Sequence, residues 1–203
     1  DAIGRGSPHF FEAGLDRLLS DHLGKNFVVA SDFSKENNCD VYFIAVGTPL
    51  DANHIPNLGH LEVAARNVGA VLKYGDAVVL RSTVPIGTTR EVVLPILEKE
   101  SGLTAGEGFL LAFAPERTIE GRALEELRVL PQVIGGINHA SSDLVASIFN
   151  VLSHSTVIVE SLEAAEMVKL VNNTYRDVSF GFANEVSLVA HAWGVDAKEV
   201  IDA

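Results

Sequence analysis

The sequence predicts an α/β chain: a doubly wound parallel sheet that leads into a long helix. Short, continuously apolar runs alternate with stretches of helical spacing, and such alternation implies parallel strands joined by right-handed crossovers, with helices on both faces. The composition, 47% hydrophobic and 21% charged over 203 residues, is that of a globular chain with room for one domain and part of a second. A run from about Leu162 to Trp193 is apolar nearly all round, which predicts a helix buried against another helix or subunit.

The elements follow in order. Phe27-Val28-Val29-Ala30 is a short strand candidate, and Val41 to Val46 is a stronger one, apolar throughout as a strand covered on both faces should be. Residues 58–73 place Leu61, Ala64, Ala65, Val68 and Leu72 at helical spacing. Ala77-Val78-Val79-Leu80 reads as a strand, Thr88 to Glu100 as a helix, and Phe109 to Phe113 as a further strand. Gln132-Val133-Ile134 is a shorter strand, followed by a helix from about Ala140 to Leu152 and a strand at Thr156-Val157-Ile158-Val159. The long helix ends at Gly194, and Asp196-Ala197-Lys198-Glu199 reads as a capping box that opens another helix. The expected division is 1–160 for the sheet domain and 161–203 for the start of a helical one.

The net charge of −12 argues against general binding to nucleic acid or an anionic membrane, because either needs a basic face. The apolar stretch near 178–193 is interrupted by Asn184, Glu185 and His191, so no membrane span is expected, and neither is a signal peptide. The single Cys39 permits no internal disulfide, which fits a reducing compartment, and a cytoplasmic location is the expectation. No metal site is expected: His54 and His60 lack supporting carboxylate or cysteine spacing, and His9, His22, His139, His154 and His191 are scattered and read as surface or packing residues.

Candidate chemistry begins on the long helix. Lys169 and Asn173 are four residues apart and so share a helical face inside an apolar element. An ammonium and a carboxamide aimed at one point suit an oxygen that becomes negative during a reaction; the alternative is a lysine whose stem packs while its head reaches solvent. In open α/β sheets ligands lie at the carboxyl ends of strands, which singles out three loops. Gly47-Thr48-Pro49 offers a hydroxyl at a strand end, and Ser82-Thr83-Val84-Pro85-Ile86-Gly87-Thr88-Thr89 offers two, with a helix start at Thr88 that favours anions. Ordinary strand-exit and capping chemistry is the alternative for both. Pro115 to Arg122 carries Glu116 and Glu120 with Arg117 and Arg122, for which surface ion pairing is the alternative.

These segments, in this order, resemble the UDP-glucose/GDP-mannose dehydrogenase family of nucleotide-sugar dehydrogenases: Val46-Gly-Thr48-Pro49, Ser82 to Thr89, Ala114 to Gly121, Glu163 to Asn173, and Phe182-Ala-Asn184-Glu185 further along the helix. Gly47 stands where the family often has proline or asparagine. The resemblance implies NAD as cofactor and a UDP-sugar as substrate, with oxidation of the C6 hydroxymethyl to a carboxylate through a cysteine-bound thiohemiacetal and thioester, in polysaccharide precursor synthesis. It implies that Lys169 and Asn173 hold the water or oxyanion near C6, and that Glu116 helps activate water. Thr48, Pro49, Ser82, Thr83 and Glu120 would line the NAD site, and the backbone of Arg117, Thr118 and Ile119 would face the sugar nucleotide beside Lys169 and Asn173. Arg117 after Glu116 looks more like members that oxidise UDP-N-acetylhexosamines, such as the UDP-N-acetylmannosamine dehydrogenases. A homodimer through helix 162–193 is the expected assembly.

The implied fold is therefore an incomplete Rossmann-like doubly wound sheet followed by the start of an all-α central dimerisation domain. Two family features do not occur in the sequence: the Gly-x-Gly-x-x-Gly turn that cradles a pyrophosphate, and the catalytic cysteine in a Gly-rich loop beyond the long helices. Cys39, in Asn-Asn-Cys-Asp, reads as structural. The expectation is a fragment that does not oxidise substrate by itself. The alternatives are a β-hydroxyacid or 6-phosphogluconate type of dehydrogenase, which also pairs a helix lysine with an asparagine four residues on, and a non-catalytic binding module.

Overall fold

The computed structural model describes residues 2–8, 10–31 and 39–203, so His9 lies outside the described residues. Five strands form one sheet in the order β1-β2-β3-β4-β5: β1 Val41–Ile44, β2 Ala77–Leu80, β3 Leu110–Phe113, β4 Gln132–Gly136 and β5 Thr156–Val159. The helices are α1 Leu15–His22, α2 Gly59–Val71, α3 Leu94–Ser101, α4 Ala123–Val129, α5 His139–Phe149, α6 Leu162–Ala192 and α7 Ala197–Asp202.

The period of two along β2 sorts side chains onto two cores. Val78 and Leu80 join Leu61 and Ala65 of α2, Val93, Leu97 of α3, and Leu162 and Ala165 of α6. Val79 faces the other way with Ala112 and Ile134, against Val145, Ala146 and Phe149 of α5. The α/β architecture with helices on both faces is thus as the sequence predicts. The sheet departs from fully parallel at one joint. β1/β2, β2/β3 and β4/β5 are parallel, but β3/β4 is antiparallel, with Phe113 opposite Gly135. The connection from Ala114 to Pro131 does not cross the sheet face. Arg117 donates from Nη1 to the Pro131 carbonyl at 2.9 Å, so the link leaves and returns at the same edge, and β4 must run back. Apolar periodicity carries no information about strand direction.

Other differences have local causes. The strand expected at 27–30 does not form: Phe27 makes a single bridge to Leu23, and Val28 is 75% exposed, because no described neighbour offers a ladder. β1 ends at Ile44 instead of Val46. The helix expected from Thr88 opens with a wide π turn over Thr89–Val93 before α3. Pro95, in the first turn of α3, has no N–H to donate and its ring crowds the carbonyl four residues back, which the wider turn accommodates. α1 and α4, not anticipated, bury only Leu19 and no residue respectively. The Glu12 carboxylate fastens the start of α4, accepting from Gly121 N–H at 2.9 Å and Leu124 N–H at 3.3 Å. Asp196 caps α7 by accepting from Lys198 N–H at 2.8 Å, the second helical position and not the third of a capping box.

α6 is the link between sheet and site. Ser161 caps it, accepting from Ala164 N–H at 3.1 Å. Its first turns lie so close to β4 that a Cβ on Gly135 would stand 2.1 Å from the Ser161 carbonyl oxygen, a distance no side chain tolerates. Leu162, Ala165 and Glu166 are buried, whereas Val171, Tyr175, Val178, Phe180, Phe182, Leu188 and Val189 are exposed along the remaining turns. Among the described residues no helix is long and apolar enough to cross a membrane.

Candidate functional site

Three loops leave the carboxyl ends of β1, β2 and β3 side by side, and the start of α6 reaches across them. The first two are stitched together. Thr48 donates from Oγ1 to the Thr83 carbonyl at 2.6 Å, and Ser82 donates from Oγ to the Val46 carbonyl at 2.7 Å. Both hydroxyl protons are therefore occupied, which leaves their oxygens as acceptors toward a ligand. Pro49 and Thr83 are exposed beside them, and Glu120 is exposed on the third loop.

Glu166 joins the second loop to α6. It is fully buried, and its carboxylate accepts from Gly87 N–H at 2.6 Å, Thr89 N–H at 2.8 Å and Thr89 Oγ1 at 2.5 Å. One turn earlier Glu163 pairs with Arg90, Nε to Oε1 at 2.5 Å, and that hydrogen bond is the main reason its carboxyl is held down to about 2. One turn later Lys169 donates from Nζ to the Glu116 carbonyl. Glu163, Glu166 and Lys169 thus bind one helix to two loops at successive turns.

The third loop folds around Glu116. Its Oε1 accepts from Arg117 N–H at 2.8 Å and Thr118 N–H at 2.9 Å, and its Oε2 accepts from Arg81 Nη2. Burial works against the charge, but the Arg81 guanidinium and the Thr118 N–H outweigh it and hold the carboxyl below the usual carboxylate range. Ile119 N–H is also taken, by Glu126 Oε2 at 2.7 Å. The three N–H groups of Arg117, Thr118 and Ile119 are therefore satisfied by Glu116 of the loop and Glu126 of α4, so what this segment turns toward a ligand is its carbonyls and side chains. Arg117 reaches α6 as well, donating from Nη2 to Asn172 Oδ1 at 3.2 Å.

Lys169 is half-buried. Burial first, and then the positive charges of Arg176, Arg117 and Arg81, pull its ammonium below lysine's ordinary range, while Glu116 opposes them. Asn173, half-buried one turn on, has no side-chain hydrogen bond among the described residues, so its carboxamide is available beside the ammonium. The structure thus brings Glu116, Arg117, Thr118, Lys169 and Asn173 to one place and sets Thr48, Ser82 and Thr83 along the adjoining edge. Arg81 and Glu166 are site residues that sequence reasoning passed over.

A dinucleotide has partial provision here. A cavity of about 570 Å³ lies along β1, lined by Phe43, Ile44, Ala45, Val46, Ser31 and Asn67 among others, close to the acceptor oxygens of Thr48 and Ser82. Its wall mixes apolar side chains with a large share of polar atoms, a lining that can take a base and a ribose. Cys39 lies at the amino end of β1, the opposite end from the loops. Among the described residues no group of three or more His, Cys, Asp or Glu could hold a metal ion.

Comparison with known proteins gives consistent matches. Residues 1–153 match the UDP-glucose/GDP-mannose dehydrogenase family, NAD binding domain, and residues 163–203 match that family's central domain. The chain is 36% identical over 201 residues to UDP-N-acetyl-D-mannosamine dehydrogenase of Pyrococcus horikoshii, covering 98% of this chain and 48% of the relative. It is 34% identical over 207 residues to the enzyme of the same name from Escherichia coli K12, covering 99% and 49%. A ternary complex of GDP-mannose dehydrogenase from Pseudomonas aeruginosa superposes with a TM-score of 0.92 at 35% identity, over 100% of this chain and 48% of that one. The chain spans about half the length of the curated relatives it matches.

Proposed function

Because the chain belongs to the UDP-glucose/GDP-mannose dehydrogenase family, we propose that the protein carrying it oxidises the C6 hydroxymethyl of a UDP-sugar to the carboxylate in two NAD-dependent steps. The observation that supports this best is Lys169, fixed by the Glu116 carbonyl with Asn173 one turn on, opposite the hydroxyl-bearing ends of β1 and β2. NAD, when bound, takes up hydride. The chain's own residues do the rest of what is assigned to it. Thr48, Pro49, Ser82, Thr83 and Glu120 line the cofactor side. The ammonium of Lys169 and the carboxamide of Asn173 hold the C6 oxygen and stabilise the negative charge that gathers on it. Glu116, kept ionised, orients water by accepting its proton in a hydrogen bond. Arg117, Thr118 and Ile119 border the sugar nucleotide. Cys39 has no part in it, standing at the far end of β1.

An N-acetylhexosamine is the proposed sugar, on Arg117 beside Glu116 and on the names of the relatives. NADH formation with UDP-N-acetylmannosamine, UDP-N-acetylglucosamine and UDP-glucose tests it: turnover of an acetamido sugar with two NADH per sugar is expected, and turnover of UDP-glucose alone would sink the assignment. The same proposal divides the chain at 1–160 and 161–203, and makes the exposed apolar length of α6 a homodimer contact in a cytoplasmic protein of polysaccharide precursor synthesis. Val178, Phe182 and Val189 are 65%, 70% and 60% exposed, more apolar surface than one helix leaves to water without a partner. Light scattering should report a dimer at micromolar concentration; a clean monomer would remove α6 as the interface.

A further inference from the structure

Arg81 follows the fully buried strand β2 and is itself charged, with a side chain only 10% exposed. Its guanidinium is gripped on two sides. The Phe149 ring of α5 lies 4.8 Å from Cζ, and Nη2 donates to Glu116 Oε2 across the carboxyl edge of the sheet. Phe149 is held in turn by Phe43, edge to face at 6.0 Å. The third guanidinium corner, Nη1, is buried with no acceptor among the described residues. Arg81 thus reaches one carboxylate oxygen of Glu116, and it precedes Ser82 and Thr83 in the chain.

We propose that Arg81 is a positioning residue for the reaction: backed by the Phe149 ring, it fixes the Glu116 carboxylate relative to Lys169 and to the cofactor-side hydroxyls. The inference rests on the proposed role of Glu116. The mechanics are plain. Oε1 is anchored by the loop's own N–H groups, so the carboxylate is pinned at one end only until Arg81 takes Oε2. A planar guanidinium stacked on a ring does this directionally, which a lysine ammonium cannot reproduce. The charged groups about Glu116 are Arg81 at the end of β2, Arg117 on its own loop and Lys169 on α6; of these Arg81 makes the ion pair.

The test uses Arg81→Gln and Arg81→Lys in the protein that carries this chain. Two readouts are taken: the rate against pH, and the ionisation of Glu116 followed by carbon NMR of its carboxyl, with Glu116→Gln to assign the signal. In R81Q the Glu116 midpoint and the acid limb of kcat both move to higher pH, and kcat falls on the order of 10- to 100-fold. In R81K the midpoint stays low while kcat still falls, because charge is kept and direction is lost. A merely structural residue would lower stability and move neither pH readout. A folded R81Q with a wild-type midpoint overturns the proposal; where R81Q does not fold, R81K with wild-type kcat does so. Wild-type turnover by E116Q would instead refute the role of Glu116 in the reaction, and the carboxyl titration in R81Q would still decide whether Arg81 clamps it.

Discussion

Lys169→Met is expected to lower kcat by about 10²–10³-fold, the loss seen when one donor to a developing oxyanion is removed, with a much smaller change in KM for the sugar. Methionine keeps the length and apolar stem that reach from α6 to the third loop and removes the ammonium. The half-buried Glu116 carbonyl that accepts from Nζ can turn to water, so stability should change by about 1 kcal/mol or less. A kcat within about threefold of the unaltered protein, against that expected loss, would return Lys169 to a packing role. The rate against pH adds a second check. Burial and the guanidinium groups of Arg176, Arg117 and Arg81 pull the lysine below its ordinary range, and Glu116 favours its charged form. Removing the Glu116 charge therefore lowers it further, and the alkaline limb, where Lys169 gives up its proton, should move to lower pH in Glu116→Gln. A limb that stays in place would mean that Lys169 is not the group titrating there.

What the sequence made legible, and what it did not, follows from how far each interaction reaches along the chain. β2 and β3 read directly because continuous apolar runs are what a strand covered on both faces requires. The Lys169–Asn173 face read directly because a helix puts residues four apart together. The antiparallel turn of β4 did not, since direction is set by where the 114–131 link returns, here by Arg117 holding Pro131. The strand expected at 27–30 failed for the complementary reason: its pattern is strand-like, but a strand exists only where a neighbour accepts its ladder. Arg81 and Glu166 escaped notice because their partners are 35 and 77 to 79 residues away. One signal was available for both. An arginine ending a fully apolar strand, and a glutamate on the buried side of an apolar helix one turn before the lysine, each demand a partner.

Glu166 makes the stronger demand, and its replacement should have the largest effect on stability. The carboxylate stands at the N-terminal end of the helical segment that begins at Thr89, where free N–H groups favour an anion, and it accepts three hydrogen bonds with no exposure to water. Glu166→Gln is nearly isosteric, but an amide accepts through one end only. Its NH₂ must face either the Gly87 N–H or the Thr89 pair, donor against donor. A buried donor left without an acceptor costs about 1–3 kcal/mol, and a lost bond to a charged group falls at the upper end of that range. Urea unfolding should therefore place E166Q about 2–3 kcal/mol below the unaltered protein, with Glu166→Ala lower still, since it leaves three donors and a void. Function should fall with it in a particular way. Gly87 and Thr89 belong to the loop that carries Ser82 and Thr83, and Glu166 is the buried tie between that loop and the helix of Lys169, with the exposed Glu163–Arg90 pair one turn away. Loosening the tie moves the cofactor side against the sugar side, so KM for NAD should rise in E166Q even at temperatures where the protein is fully folded. An E166Q protein within about 0.5 kcal/mol of the unaltered one, with unchanged KM for NAD, would show that the loop is held in place without this carboxylate.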